Sequence, residues 1–362
     1  MEHQRVRKTF KFKLKPTPDQ ERVLGRTLML CRHVYDAAIG ERRAAWHKCS
    51  MTITYYQQQA ELPGIKVALP EYGEVNAQVL QDVVWRVDRA FQAFFQRVKN
   101  GETPGYPRFH GCDRYNSFTY PQVGEHGSAR LDNSFLVLSK IGRVAVRWSR
   151  PLEGTPKTVT ISREADGWYV CFSCADVPTR PLPATGQETG IDLGIEAFAT
   201  LSDGTRAFAP GWYRQAERAL KTAQRRVAQG KKGSNRRRKA VAMLAKAHQE
   251  VKRQRRDFHH KTALAFVRAN DIIYHEDLQA PNMVKNHRLA KSIQDAGWSA
   301  FLTILAYTAA CASRQVIVVN LRSPASTALA AASWSPRAYP SVGTPARPVA
   351  RACIGTITLP EI

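Results

Sequence analysis

Between residues 6 and 15 apolar and cationic positions alternate, with Val6, Phe10, Phe12 and Leu14 set among Arg7, Lys8, Lys11, Lys13 and Lys15. A period of two predicts a strand with one buried face. Its lysine face has two physical readings: cations offered to a phosphate backbone, or an edge strand that uses lysine against aggregation. Thr17-Pro18-Asp19-Gln20 then opens a helix, with a Thr cap, Pro in the first turn, Asp at the positive end and Gln closing the box. Leu24, Leu28, Cys31, Val34 and Tyr35 follow at helical spacing, and Val79, Val83, Val87, Phe91, Phe94 and Val98 mark a second helix over 76–99. Both stripes read as core, and the two helices as one module joined by a loop near 63–73.

From Gly101 the pattern changes. Gly105-Tyr106-Pro107-Arg108-Phe109 lies in a turn-rich stretch, and β-type runs occupy 134–138, 143–148, 157–162 and 167–174, with turns at Glu153-Gly154 and Asp166-Gly167. They predict a small antiparallel β-barrel completed by the N-terminal strand. A Pro-rich linker over 178–187 leads to Gly190-Ile191-Asp192-Leu193-Gly194, where one acid sits in an apolar β-type run between glycines. A comparable strand, Asp271-Ile272-Ile273-Tyr274-His275-Glu276-Asp277-Leu278, delivers Glu276 after an apolar stretch. Two acids on two strands are a means of holding a divalent metal over a phosphodiester.

Charge sharpens this reading. The 362 residues carry 54 Lys+Arg against 30 Asp+Glu, a net +24, which predicts a polyanionic partner. The excess is concentrated between the two acids: residues 214–261 hold 17 Lys+Arg and only Glu217, Glu250 and Asp257 as acids. Two helical halves flank a turn at 229–235. The candidate nucleic-acid-binding residues are Lys11, Lys13, Arg108, Arg225, Arg226, Lys231, Lys232, Arg236, Arg237, Arg238, Lys239, Arg253, Arg255, Arg256 and Lys261. His259-His260 lies in the same basic segment and reads as phosphate-facing or structural, not as a metal site. No apolar run is long enough to span a membrane, and seven scattered cysteines do not form a disulfide framework, so a reducing cytoplasm is expected. Cys171 and Cys174 lie three apart in an alternating run and should diverge, which disfavours a zinc knuckle.

The order of these features resembles the TnpB (OrfB) proteins of insertion sequences, relatives of type V CRISPR effectors. The resemblance rests on Phe10-Lys11-Phe12-Lys13-Leu14 with Pro16 and Gln20, on Gly105 to Phe109, on Gly190 to Gly194, on His275-Glu276-Asp277-Leu278 and the run to Asn286, and on Asp257-Phe258-His259-His260-Lys261. It implies an α+β multidomain chain. A wedge β-barrel (1–16 and 101–180) would carry an inserted helical recognition module (17–100). A RuvC-like RNase H α/β nuclease domain (186–320) with a basic helical insert (211–262) would follow. It further implies an RNA-guided DNA endonuclease, often labelled a transposase, that works as a monomer with guide RNA and target DNA. Asp192 and Glu276 would be two of three catalytic, Mg2+-binding acids. A strand-joining transposase is the alternative from another class, and no Tyr or Ser nucleophile motif supports it.

The family pattern breaks near the C-terminus. A zinc ribbon of two Cys-x-x-Cys pairs and an Asp-bearing third motif are expected there, and the Zn2+ ligands and that acid are absent. Residues 321–362 instead hold nine Ala, six Pro and five Ser, no Lys and a single acid, Glu361, and read as a disordered tail. Read from the third base of each preceding codon, however, the codons of Ser326–Ala332 permit Gln-x-Cys-Ser-Gly-Cys-Gly. Those of Ala346–Ala350 permit Cys-x-x-Cys-Gly, and those of Cys353–Glu361 permit Leu-His-Arg-Asp-His-Asn-Ala-Ala-Arg. The expectation is a net one-base loss between about Asn320 and Ser326, leaving a chain that binds nucleic acid and cleaves it poorly or not at all. Sequencing the gene is the test: no family-like alternate frame under codons 321–362 would end the idea.

Overall fold

The computed structural model describes residues 5–111 and 114–319. Residues 321–362, where a disordered, frameshifted tail is expected, lie outside the described residues. The alternating segment forms β1 (Arg5–Lys15), whose Phe10, Phe12 and Leu14 are buried. Thr17 caps α1 (Pro18–Cys49): its hydroxyl accepts from the Gln20 amide at 3.3 Å and its own amide donates to the Gln20 side chain at 3.0 Å. The expected loop near 63–73 is instead mostly helical. α2 (Tyr55–Ala68) is opened by a second capping box at Thr54 and tolerates Pro63, and a 3-10 turn follows at Pro70–Glu74. α3 (Ala77–Lys99) buries Val79, Val83, Val87 and Phe91 against α1, but its apolar stripe outruns its partner, leaving Val98 50 % exposed.

Next come β2 (Ser117–Tyr120), β3 (Ala129–Asp132), β4 (Phe135–Leu138), β5 (Gly142–Arg147), β6 (Thr155–Glu164) and β7 (Gly167–Pro178). They join β1 in a seven-stranded antiparallel sheet of order β2-β6-β7-β1-β5-β4-β3. Two expectations are corrected here. β1 is the middle strand, so its lysines do not guard an edge. The sheet is also a half-barrel, because among the described residues no ladder joins β2 to β3. Its inner face shares one core with α1 and α3, including Leu24, Val83, Phe118, Leu136, Ile161 and Phe172. Cys171 and Cys174 fall on opposite faces of β7 and are free thiols.

The second sheet has five strands in the order β10-β9-β8-β11-β12. β8 (Glu188–Asp192), β9 (Ala199–Leu201) and β10 (Arg206–Ala207) form its antiparallel half, and β11 (Ile272–Glu276) and β12 (Gln315–Val319) run parallel to β8. The basic insert is a helical hairpin of α4 (Trp212–Gln229) and α5 (Asn235–Ala269). α6 (Ala280–Met283), α7 (Ala290–Ala296) and α8 (Trp298–Cys311) complete the lobe. Ala263, Phe266 and Val267 of α5 and Phe301, Leu305 and Ala309 of α8 bury one face of the sheet over Ile191 and Ile273.

Candidate active site and nucleic-acid interface

Asp192 is the last residue of β8 and Glu276 the last of β11. The two strands are parallel neighbours paired from Ile272–Glu188 to His275–Ile191, and one further step sets Glu276 beside Asp192. Strand parity gives both the same face. Thr189, Ile191, Ile273 and His275 are buried against the helices, whereas Asp192 and Glu276 are exposed on the opposite side. Adjacent strands lie about 4.8 Å apart, so two carboxylates at one level can reach a common cation. Below them on the same face, Tyr274 Oη donates to Glu188 Oε2 at 3.0 Å and ties the two strands together. His275, facing the core, donates from Nδ1 to the Glu276 carbonyl at 2.9 Å and steadies the end of β11.

The pair combines adjacent placement at two strand ends with lack of engagement. Among the described residues neither carboxylate has a hydrogen bond or an ion pair. Asp295, Asp166, Glu164 and Asp271, by contrast, are each held by several donors. Two free, hard oxygen donors side by side suit Mg2+, which binds through one or two carboxylates and keeps several waters. Among the described residues no group of three or more His, Cys, Asp or Glu could hold a metal, so a cation at this pair would take the rest of its shell from water.

The candidate cations divide into two populations. Lys11 and Lys13 of β1 reach Glu164 and Asp166 at the β6–β7 turn, Lys13 at 3.2 Å. From α5, Arg253 donates to Asp166 at 3.0 Å and Glu164 at 3.2 Å, and Gln249 donates to both at 2.8 Å. Burial pushes the Asp166 carboxyl up, but hydrogen bonds from Arg253, Tyr169, Gln249 and Lys13 outweigh it and hold that carboxyl well below its usual range. Glu164 is likewise lowered, chiefly by Lys11, against the effect of burial. Arg253 and Gln249 therefore clamp the insert to the sheet through Glu164 and Asp166, which Lys11 and Lys13 partner from within the sheet. Arg255 is also engaged, with Asp295 at 3.3 Å. Asp295 in turn accepts from the Tyr213 amide at 3.2 Å, where the α4 cap residue Gly211 has no side chain to do so.

At the far end of the hairpin, Arg237 donates to the carbonyls of Val227 and Gly230 at 2.8 and 2.9 Å and so caps α4, a structural role. Arg238 bonds Asn235, Arg256 meets His260 at 3.4 Å, and Lys261 pairs with Asp257 at 2.9 Å. Arg225, Arg226, Lys231, Lys232, Arg236 and Lys239 are exposed and have no such partner, and Arg108 is likewise exposed. His259 is structural: it is 1 % exposed, stacks on Phe198 and lies 2.9 Å from the Ala296 carbonyl, and burial lowers its pKa.

Sequence reasoning did not foresee the Tyr274–Glu188 tie, the Asp295 cap, or the grip of Asp271 on the linker. Asp271 accepts from the amides of Thr185 and Gly186 at 2.9 and 2.8 Å. Its only sequence signal was its place just before β11.

Comparison with known proteins decides the lineage. The OrfB family, described as "Probable transposase", matches residues 171–287, and a "Helix-turn-helix domain" of the same group matches residues 1–49. A protein of Streptomyces pristinaespiralis named "Putative RNA-guided DNA endonuclease" is 35% identical over 330 residues, covering 89% of this chain and 80% of that relative. The chain belongs to the TnpB (OrfB) family of insertion-sequence proteins. Another TnpB relative, from Escherichia coli (strain K12), is named "Putative RNA-guided DNA endonuclease InsQ" and is 28% identical over 329 residues, 86% of this chain and 79% of its own length. In fold the chain resembles the solved "Cryo-EM structure of the Cas12f1-sgRNA-target DNA complex", with a TM-score of 0.53 at 11% identity over 88% of this chain and 90% of that one. The stretch matched as a helix-turn-helix is, over residues 5–49, the strand β1 followed by the single 32-residue helix α1.

Proposed function

We propose that this TnpB chain is an RNA-guided DNA endonuclease in design, with a RuvC-like site at Asp192 and Glu276 whose cleavage is impaired in the sequence as it stands. The observation that carries the proposal is the pair of unengaged carboxylates at the ends of two adjacent parallel strands. Asp192 and Glu276 would hold Mg2+. A bound magnesium ion would supply Lewis-acid charge to a phosphodiester oxygen and a lowered pKa for its water. The exposed tip of the α4–α5 hairpin, from Arg225 to Lys239, would bind the backbone of a nucleic-acid duplex and set its register relative to the acids. Guide RNA and target DNA are the partners this reading requires, and the names of the 35% and 28% identical relatives support it.

Impairment follows from the donor count. Two carboxylates leave the charge of a two-ion site incompletely balanced, and residues 321–362 offer only Glu361 in addition. A binding protein that occupies DNA without cutting is the second reading, favoured by the same count. The test is the full chain with guide RNA and a matching duplex in Mg2+. A guide-dependent gel shift with little or no cleavage is expected. Robust Asp192-dependent cutting would refute the impairment, and the lack of any guide-dependent shift would refute the function itself.

A further inference from the structure

The motif Gly105-Tyr106-Pro107-Arg108-Phe109 has no part in the site above, yet it is displayed on the surface. Tyr106 packs edge-to-face on Phe91 and Phe94 of α3 at 5.6 and 5.3 Å, while remaining 42 % exposed. Phe94 contacts Phe95 at 5.2 Å, and Phe95 is 58 % exposed. Two residues past the buried Pro107, Phe109 lies over Gly40 of α1 and is 51 % exposed. A Cβ on Gly105 would lie 3.8 Å from Arg97 Nη1, so the Arg97 guanidinium runs alongside this strip. Arg97, Lys99 and Arg108 are exposed and have no ion pair among the described residues. The neighbouring acids are engaged: Asp88 by Arg42 and Gln92, and Glu102 by Asn100.

We propose that Phe95, Tyr106 and Phe109, flanked by Arg97, Lys99 and Arg108, form a stacking platform for unpaired RNA bases. This rests on the nucleic-acid reading given above and names a second partner surface for it. Phe91 and Phe94 hold both Phe95 and Tyr106, and Phe109 is set over α1 two residues past Pro107. Exposed rings with cations alongside are the means by which proteins bind single strands, the rings taking bases and the cations phosphates. RNA is the occupant we commit to because folded RNA keeps the bases of its loops and ends unstacked and open to aromatic faces, and the DNA strand is the competitor that the experiment separates from it. A second copy of the chain is disfavoured by charge, since a two-fold contact would set Arg97, Lys99 and Arg108 against their own duplicates.

The experiment measures fluorescence anisotropy of the full chain with a short unstructured oligoribonucleotide, its duplex, and the DNA strand of the same sequence, all without guide. The wild type should bind the RNA strand at least as tightly as the DNA strand. Phe95→Ala/Phe109→Ala should weaken RNA-strand binding roughly 10-fold and leave the RNA duplex unaffected. Both rings are more than half exposed, so the melting temperature should hold. Arg97→Gln/Arg108→Gln, which spares the ring packing, should flatten the salt dependence of strand binding. Equal weakening of strand and duplex binding, or no weakening at all, would overturn the platform. So would tighter binding of the DNA strand, or a wild-type dimer that the Phe95→Ala/Phe109→Ala variant dissolves. Failure of the wild type to bind any oligonucleotide would instead strike the nucleic-acid reading on which the platform rests.

Discussion

At the scale of single residues, Asp192 and Glu276 are unpartnered acids set side by side at two strand ends, whereas Asp166, Asp271 and Asp295 are each held by several donors. Asp192→Asn and Glu276→Gln should each abolish Mn2+ binding measured by calorimetry. They should leave the melting temperature nearly unchanged, because neither side chain is bonded within the protein. Retained Mn2+ affinity in both variants would remove the pair from the site. Gly154 is the opposite case: at φ +72 its Cβ would come 2.3 Å from the Ala175 carbonyl. Gly154→Ala should therefore cost several kcal/mol, on the order of 2–4, read as a lowered denaturant midpoint. The two acids were legible in the sequence because Asp192 interrupts an apolar run between glycines and Glu276 follows one. Their shared face was not, since the register of two strands separated by eighty residues is a tertiary property.

At the scale of elements, the clamp between the β6–β7 turn and α5 is what charge reading alone did not show. Lys11, Lys13 and Arg253 belong to the cationic pattern, and Glu164 and Asp166, of which only Asp166 was read as a turn residue, pair with them. The helical stripes were readable from their period, whereas α2 was hidden by Pro63. Because the Asp166 carboxyl is held below its ordinary value, its contribution to stability is fully present above about pH 4 and drains away as the pH falls below that. Asp166→Asn should lower stability by about 1 kcal/mol near neutrality, after screening at a partly exposed site. The difference from wild type should shrink in acid, and a pH-independent difference in thermal melts would contradict this account.

At the scale of the whole molecule, the net +24 includes cations partnered inside the fold, such as Lys11, Lys13 and Arg253, and unpartnered ones, of which the hairpin tip gathers six. Replacing Arg225, Arg226, Lys231, Lys232, Arg236 and Lys239 by Gln should weaken duplex binding across all sequences. It should also reduce the log–log salt slope by about 0.9 for each B-DNA phosphate that the variant no longer neutralises. An unchanged slope in titrations at several salt concentrations would place the duplex elsewhere on the protein. The central position of β1 in its sheet has a consequence for synthesis on the ribosome. Its main ladder partner, β7, is Gly167–Pro178, so β1 must wait, with the Phe10, Phe12 and Leu14 face short of its full sheet, until more than 150 further residues have been translated. Long-range pairing of that kind is slow and exposed to aggregation. In a cell, the yield of intact protein should depend on chaperone capacity and on translation speed across the helical module.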